Sequence, residues 1–298
     1  MISNRKFLTL TVVTLGLLLS NTSLAQYWIG PKVGYHYSIH DYQDFEYEDA
    51  YQISNDHGFE AGMVVTYTAT DRYAVHGELY FEQIGNRIRS RGDNFFVNSK
   101  STYNFLSLPL MLRVSMGHSP VHWYVNGGPK LSLWLGGNGR LKYSDDEAAN
   151  PNSSGVFDGI EHVNYTIAFN SGEATGVLND TYFVDEPNRI QYALVIGGGF
   201  YLDLANGARL MIDGRYNWGH SNMAFNQDPN VASSNSIIAG SPENIPERGY
   251  QENYEYTTNT ISISIAYMYE YNAQLKRKGG STNSESRDNR RSVRRKRN

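Results

Sequence analysis

Apolar side chains recur at every second position over residues 103–136, in two runs separated by Gly117-His118-Ser119-Pro120. In the first run Leu106, Leu108, Leu110, Leu112 and Val114 share one face, against Phe105, Ser107, Pro109, Met111 and Arg113. In the second, Val121, Trp123, Val125, Leu131, Leu133 and Leu135 oppose His122, Tyr124, Asn126, Gly128, Lys130 and Ser132. A period of two marks β-strands, and the Gly/Pro punctuation between them marks a hairpin. One face is uniformly apolar and the other polar, small or cationic. That is the dyad pattern of a transmembrane β-barrel, with lipid outside and a polar lumen inside.

The same alternation predicts six further strands. The first covers about 27–38, with Ile29, Val33, Tyr35 and Tyr37 outward and Trp28, Gly30, Lys32, Gly34 and His36 inward. The second, 58–68, sets Phe59, Ala61, Met63, Val65 and Tyr67 against Glu60, Val64 and Thr66. The third, 72–89, puts Tyr73, Val75, Leu79 and Phe81 outward and His76, Glu78, Tyr80 and Glu82 inward. After the central pair come strands at 189–203, 208–219 (following the Asn206-Gly207 turn signal) and about 260–270. The count is eight. The connections run long (39–56), short (69–71), medium (90–100), short, long (138–187), short and long (220–256). Outer-membrane barrels have short periplasmic turns and longer outer loops, so both ends of this domain fall on the periplasmic side. The expected fold is an all-β, eight-stranded antiparallel up-and-down transmembrane β-barrel. Tyr67, Tyr73, Trp123, Tyr269 and Tyr271 near one rim and Trp218 near the other fit interfacial girdles.

Residues 1–25 have the form of a secretory signal peptide: Arg5 and Lys6, an apolar stretch from Leu8 to Leu19, then Ser23-Leu24-Ala25. The apolar stretch is too short for a spanning helix. There is no cysteine, which excludes a lipoprotein attachment and a disulfide framework. An exported chain without a spanning helix enters a membrane only as a closed barrel, because each backbone amide must be satisfied internally. Residues 26–271 are the expected barrel and 272–298 a disordered basic tail.

The hairpin sequences Tyr-Asn-Phe-Leu-Ser-Leu-Pro-Leu-Met-Leu-Arg (103–113) and Tyr-Val-Asn-Gly-Gly-Pro-Lys-Leu (124–131) resemble the PorT-type outer-membrane β-barrel family of the Bacteroidota. Gly30-Pro31-Lys32-Val33-Gly34 is similar to its first strand, and Leu194–Gly199 with Arg215-Tyr216 to its late pair. The resemblance covers most of 26–271 and implies a bacterial outer-membrane location. One branch of that family serves type IX secretion, but nothing in this chain ties it to that branch.

The expected lumen face collects Lys32, Arg113, Lys130, Arg209 and Arg215 with Glu60, Glu78, Glu82, Asp213 and Glu270. The bore of an eight-stranded barrel is narrow enough for side chains to fill it, and ions there must pair. A salt-bridged plug is therefore expected, with a binding, assembly or envelope-structural role. A narrow pore for small solutes is the alternative, and a soluble lipocalin-like carrier is the rival at the level of the fold. His36, His76 and His122 lie on the same face, but without a nucleophile or metal spacing; no catalysis, metal or cofactor is expected. The acidic segments 41–49 and 145–147 match no calcium-loop spacing.

From Asn272 to Asn298 ten Lys/Arg, among them Arg290, Arg291, Arg294, Arg295, Lys296 and Arg297, face two acids and leave +8. The whole chain is −4, so residues 1–271 carry −12. Such a block is an interaction arm. On the periplasmic side its expected partner is an anionic polymer or acidic protein, not nucleic acid. Outer-membrane lipid is the other expected partner.

Overall fold

The computed structural model describes residues 26–42, 49, 51–70, 72–90, 95–118, 120–145, 162–169, 181–184, 187–224 and 254–271. The expected signal peptide, the basic tail and most of the three long connections lie outside these residues.

Among the described residues ten strands form: β1 (Gln26–Tyr42), β2 (Tyr51–Thr68), β3 (Tyr73–Ser90), β4 (Phe95–His118), β5 (Val121–Asp145), β6 (His162–Phe169), β7 (Thr181–Val184), β8 (Ile190–Asp203), β9 (Ala208–Gly219) and β10 (Tyr256–Tyr271). Eight of them, in the order β1-β2-β3-β4-β5-β8-β9-β10, close into a ring of antiparallel pairs, since β1 also pairs with β10. Closure removes the free edges that hydrocarbon would not tolerate. The ring has the eight strands that the alternation predicts.

The walls are taller than the alternation predicts at the long-loop end. β1 runs on to Tyr42, β2 starts at Tyr51, β4 starts at Phe95 and β5 continues to Asp145. The expected insertion 138–187 therefore begins as strand, and β6 pairs with its first part, Gly137–Lys142, on the edge that β8 leaves free beyond Leu133. β7 adds a parallel pair to β6. These segments lack a lipid-facing apolar row, so no membrane-type alternation marks them.

Their inward parity is reset by a bulge. Asn104 faces Gly136 but Phe105 faces Trp134, so β5 carries one extra residue there. Gly136 takes φ 130°, a conformation that side-chain-bearing residues rarely adopt. Below the bulge the even positions Tyr124, Asn126, Lys130 and Trp134 point inward; above it, Gly137, Gly139 and Leu141 do.

Burial is inverted relative to a soluble barrel. Leu108, Leu110, Leu112, Val125, Leu131, Ile196, Ile261 and Ile263 are more than half exposed, while Lys32, Glu78, Arg113 and Asp213 are at most 2% exposed. The lipocalin-like alternative requires the reverse. Along β4 the belt from Leu106 to Met116 is about 33 Å of strand at about 3.3 Å per residue, about 25 Å tall at a typical tilt, the height of a lipid-facing band. Aromatics border it: Tyr27 against Tyr67, Trp123 against Phe200 and Tyr267 against Tyr269 at the short-turn end, Phe59 with Phe81 and Trp218 with His220 at the other.

Candidate functional site: the lumen

The pleat delivers inward residues from all eight walls to one axis, where they stack in three layers. At the short-turn mouth Trp28, Val64, Tyr124, Tyr201, Met211, Ala266 and Met268 pack together. The Arg209 guanidinium lies between the rings of Trp28 (3.9 Å) and Tyr201 (4.0 Å), and its Nε donates to Asp203 at 2.8 Å. Asp203 and Arg209 are register partners across the β8–β9 hairpin, which explains the pair. His122 stacks on Tyr201 and reaches Asp203 at 3.3 Å.

The middle layer is ionic. Glu78 on β3 receives Arg215 of β9 through two 2.7 Å hydrogen bonds, Lys32 of β1 at 2.8 Å and His76 at 2.7 Å. Arg215 also grips Asp213, its same-face neighbour two residues earlier, from Nε at 2.5 Å and Nη2 at 3.0 Å. The Tyr124 hydroxyl donates to Asp213 at 2.7 Å. Glu60 and Glu82 are directly opposite across β2–β3, an arrangement that repels unless each carboxylate has its own cation. Lys32 takes Glu60 at 2.8 Å, and Lys130 takes both oxygens of Glu82 at 2.8 Å. Both ammonium groups also sit over the Tyr80 ring, at 4.8 and 5.6 Å.

Among the described residues no carboxylate forms an ion pair with Arg113 directly. Its Nη2 donates to His76 Nδ1 at 2.9 Å and contacts Met211 Sδ at 3.0 Å, with the guanidinium 4.1 Å from the centre of the Tyr124 ring. The tautomer that fits is a neutral imidazole, with Nδ1 accepting from Arg113 and Nε2–H donating to Glu78. The His76-x-Glu78 pair, weak as a metal motif, thus relays hydrogen bonds between an arginine and a carboxylate. Among the described residues Lys32, Arg113, Lys130 and Arg215 balance Glu60, Glu78, Glu82 and Asp213, so the layer is neutral.

Of the ten lumen charges expected from the sequence, these eight come together. Arg209 stands apart at the mouth with Asp203, and Glu270 lies exposed at the end of β10, outside the network. The last inward position of a strand is already at the rim, where water solvates the carboxylate.

Above the ions the lumen turns aromatic. Tyr42, Ile84, Ile88, Tyr103, Phe105, Trp134, Leu141, Tyr165, Ile167, Val184, Met223, Tyr254 and Tyr256 form one buried cluster. Trp134 sits at its centre, with ring centroids 4.7 Å from Phe169 and 5.8 Å from both Tyr103 and Tyr254. The alternation does not predict this cap: Tyr103, Phe105 and Trp134 have inward parity, but Leu141 and Tyr165 reach the cluster only through the bulge and β6. A cavity of about 30 Å³, large enough for water, remains between cap and ions beside Lys130, Glu82, Asn217 and Thr260.

Such a lumen holds charge in fixed pairs and leaves little space for a solute. Among the described residues no group of three His, Asp or Glu side chains is placed to hold a metal ion.

Among solved structures, the chain is similar to OprG from Pseudomonas aeruginosa at 12% identity, covering 84% of this chain and 97% of that one with a TM-score of 0.41. It is also similar to Ail of Yersinia pestis (11%, 82% and 99%, TM-score 0.32) and to neisserial surface protein A (8%, 81% and 97%, TM-score 0.31). No curated protein sequence matches it. Residues 20–224 match the model of the outer membrane protein beta-barrel domain, most of the chain, and with the closed ring and its lipid-facing belt this places the protein in the bacterial outer membrane as a member of that family.

Proposed function

We propose that the protein works as a closed barrel, a binding, assembly or envelope-structural element of the outer membrane rather than a pore. The observation that carries this is the bidentate Arg215–Glu78 bridge, which spans the bore between opposite walls and is sandwiched between an aromatic cap and an aromatic mouth. A neutral, cross-paired ion layer fixes the cross-section, which leaves the ends and the outer wall of the barrel as the surfaces for a partner. The test is planar-bilayer recording of the purified, folded chain. The expected record is a silent membrane; discrete, reproducible conductance steps would replace this reading with the narrow pore.

The PorT-type assignment belongs to the same proposal. It is supported by Leu-Pro-Leu at 108–110 and by Gly-Gly-Pro-Lys at 127–130, where Pro109 faces Lys130 across the hairpin. A role in secretion is not carried over. The tail, residues 272–298, follows β10 at its short-turn, periplasmic end. Its +8 charge supports docking on an anionic periplasmic partner such as cell-wall polymer. Deleting residues 279–298 should lower retention of the protein on isolated cell walls; unchanged retention removes the arm from the account.

A further inference from the structure

The outer surface of the barrel above the lipid belt carries a block of positive charge. Arg87 on β3, Lys100 on β4 and Arg140 on β5 are consecutive cross-strand partners, and the next outward row holds Arg89, Asn98 and Lys142. Lys100, Arg89, Arg140 and Lys142 are exposed and Arg87 is half-buried. Like charges directly opposite on adjacent strands destabilise a sheet, and here three stand side by side. Among the described residues one carboxylate answers them: Asp56, buried within β2, lies 3.2 Å from Lys100 and 3.8 Å from Arg87. No ion pair joins Arg89, Arg140 or Lys142 to a carboxylate among the residues whose side chains are described. The block is local, since the outward positions at the long-loop ends of β1 and β10 are Ile39, Asp41, Thr257 and Asn259.

Position selects the partner. Lys100 is six residues beyond Leu106, the last leucine of the belt on β4, which is about 20 Å along the strand and about 15 Å above the hydrocarbon at a typical tilt. Their parity sets these residues on the outer face of the wall, the face that meets neighbouring lipid lower down. The outer leaflet of a bacterial outer membrane is a glycolipid whose phosphorylated saccharide headgroup extends outward from the hydrocarbon. Arginine and lysine both bind phosphate, and arginine can engage it bidentately. Two rows about 7 Å apart on three strands about 5 Å apart bring several cations within reach of one phosphorylated headgroup. We propose that this face, built by Arg87, Arg89, Lys100, Arg140 and Lys142, binds the phosphorylated saccharide headgroup of an outer-leaflet glycolipid.

The experiment is native mass spectrometry of the full-length folded chain in detergent, titrated with purified lipopolysaccharide of short core, either intact or chemically dephosphorylated, and in a separate arm with inorganic phosphate. The expected result is a bound intact glycolipid and weak or no binding of the dephosphorylated form. Replacing Arg89, Arg140 and Lys142 together by Gln, all exposed and outside the lumen, should weaken binding about a hundredfold if each cation acts as one near an anionic leaflet does. A change below about threefold in that variant overturns the proposal, as does equal binding of both glycolipid forms by the unaltered protein. Inorganic phosphate binding as tightly as the glycolipid overturns the lipid as occupant. The two glycolipid forms decide the matter on the unaltered protein even if the triple variant fails to fold.

Discussion

Arg215 and Glu78 face each other across the full width of the barrel, four strands apart in either direction, and their two 2.7 Å hydrogen bonds run side by side. Replacing Arg215 by Met should destabilise the folded barrel by about 3–5 kcal/mol, because Glu78 and Asp213 lose a cation while remaining out of reach of water. The measurement is urea unfolding in detergent, followed by heat-modifiable migration. Combining Arg215→Met with Glu78→Gln should recover part of the loss, with a coupling of about 1–3 kcal/mol. Strict additivity of the two changes would mean that the bridge contributes nothing beyond its separate members.

Trp134 is fully buried at the centre of the upper cap. Trp134→Ala should lower stability by about 3–5 kcal/mol through lost aromatic contact and the space left behind. The same unfolding assay reads this, and a loss under about 1 kcal/mol would show the cap to be dispensable for stability.

The four tryptophans divide by side of the wall: Trp123 and Trp218 are more than half exposed on the outer face, Trp28 and Trp134 buried in the lumen. In vesicles, brominated phospholipid should quench Trp123 and Trp218 in single-tryptophan variants, and neither bromolipid nor aqueous iodide should reach Trp134. Iodide quenching of Trp123 with no bromolipid effect would place the greasy face in water.

Leu110 sits at the middle of the lipid belt on β4, with its side chain half exposed to the bilayer. Leu110→Arg should cost about 2–4 kcal/mol of folding free energy in phospholipid vesicles, because a midplane position puts the guanidinium furthest from either interface. Equal stability of the variant and the parent would move the belt away from this strand.

At the Asn206-Gly207 turn, Gly207 has φ 76°, and a Cβ there would meet open space. Gly207→Ala should therefore lose only the conformational term, about 1–2 kcal/mol. Asn206 side-chain bonds to Ala208 N (3.1 Å) and to the Tyr267 hydroxyl (2.9 Å) should persist in a crystal structure of that variant.

Much of the architecture is legible in the chain itself. Alternation fixes which residues look at lipid, because a strand's side chains have a period of two and hydrocarbon accepts only one set of them. Leu106–Val114 against Phe105–Arg113 needed no tertiary information. The same rule collects Lys32, Glu60, Glu78, Glu82, Arg113, Lys130, Asp213 and Arg215 on one face, and neutrality of the bore requires that they pair.

Which charge meets which was decided in three dimensions. Arg215 finds Glu78 because β9 and β3 end up diametrically opposed, a consequence of ring closure and stagger that no local pattern carries. Arg113 is served by a histidine, a methionine and a tyrosine ring, none of which a search for carboxylates would pick. Glu270 belongs to the face but not to the network, since height along the axis separates buried from solvated. The aromatic cap and the cationic outer face depend on the tall extensions of β3, β4 and β5, where the lipid-type alternation has stopped and the bulge at Gly136 resets the parity. Periodicity names the face of a residue; only the closed ring gives its height and its neighbour on the far wall, and those two coordinates set the energy of a charge.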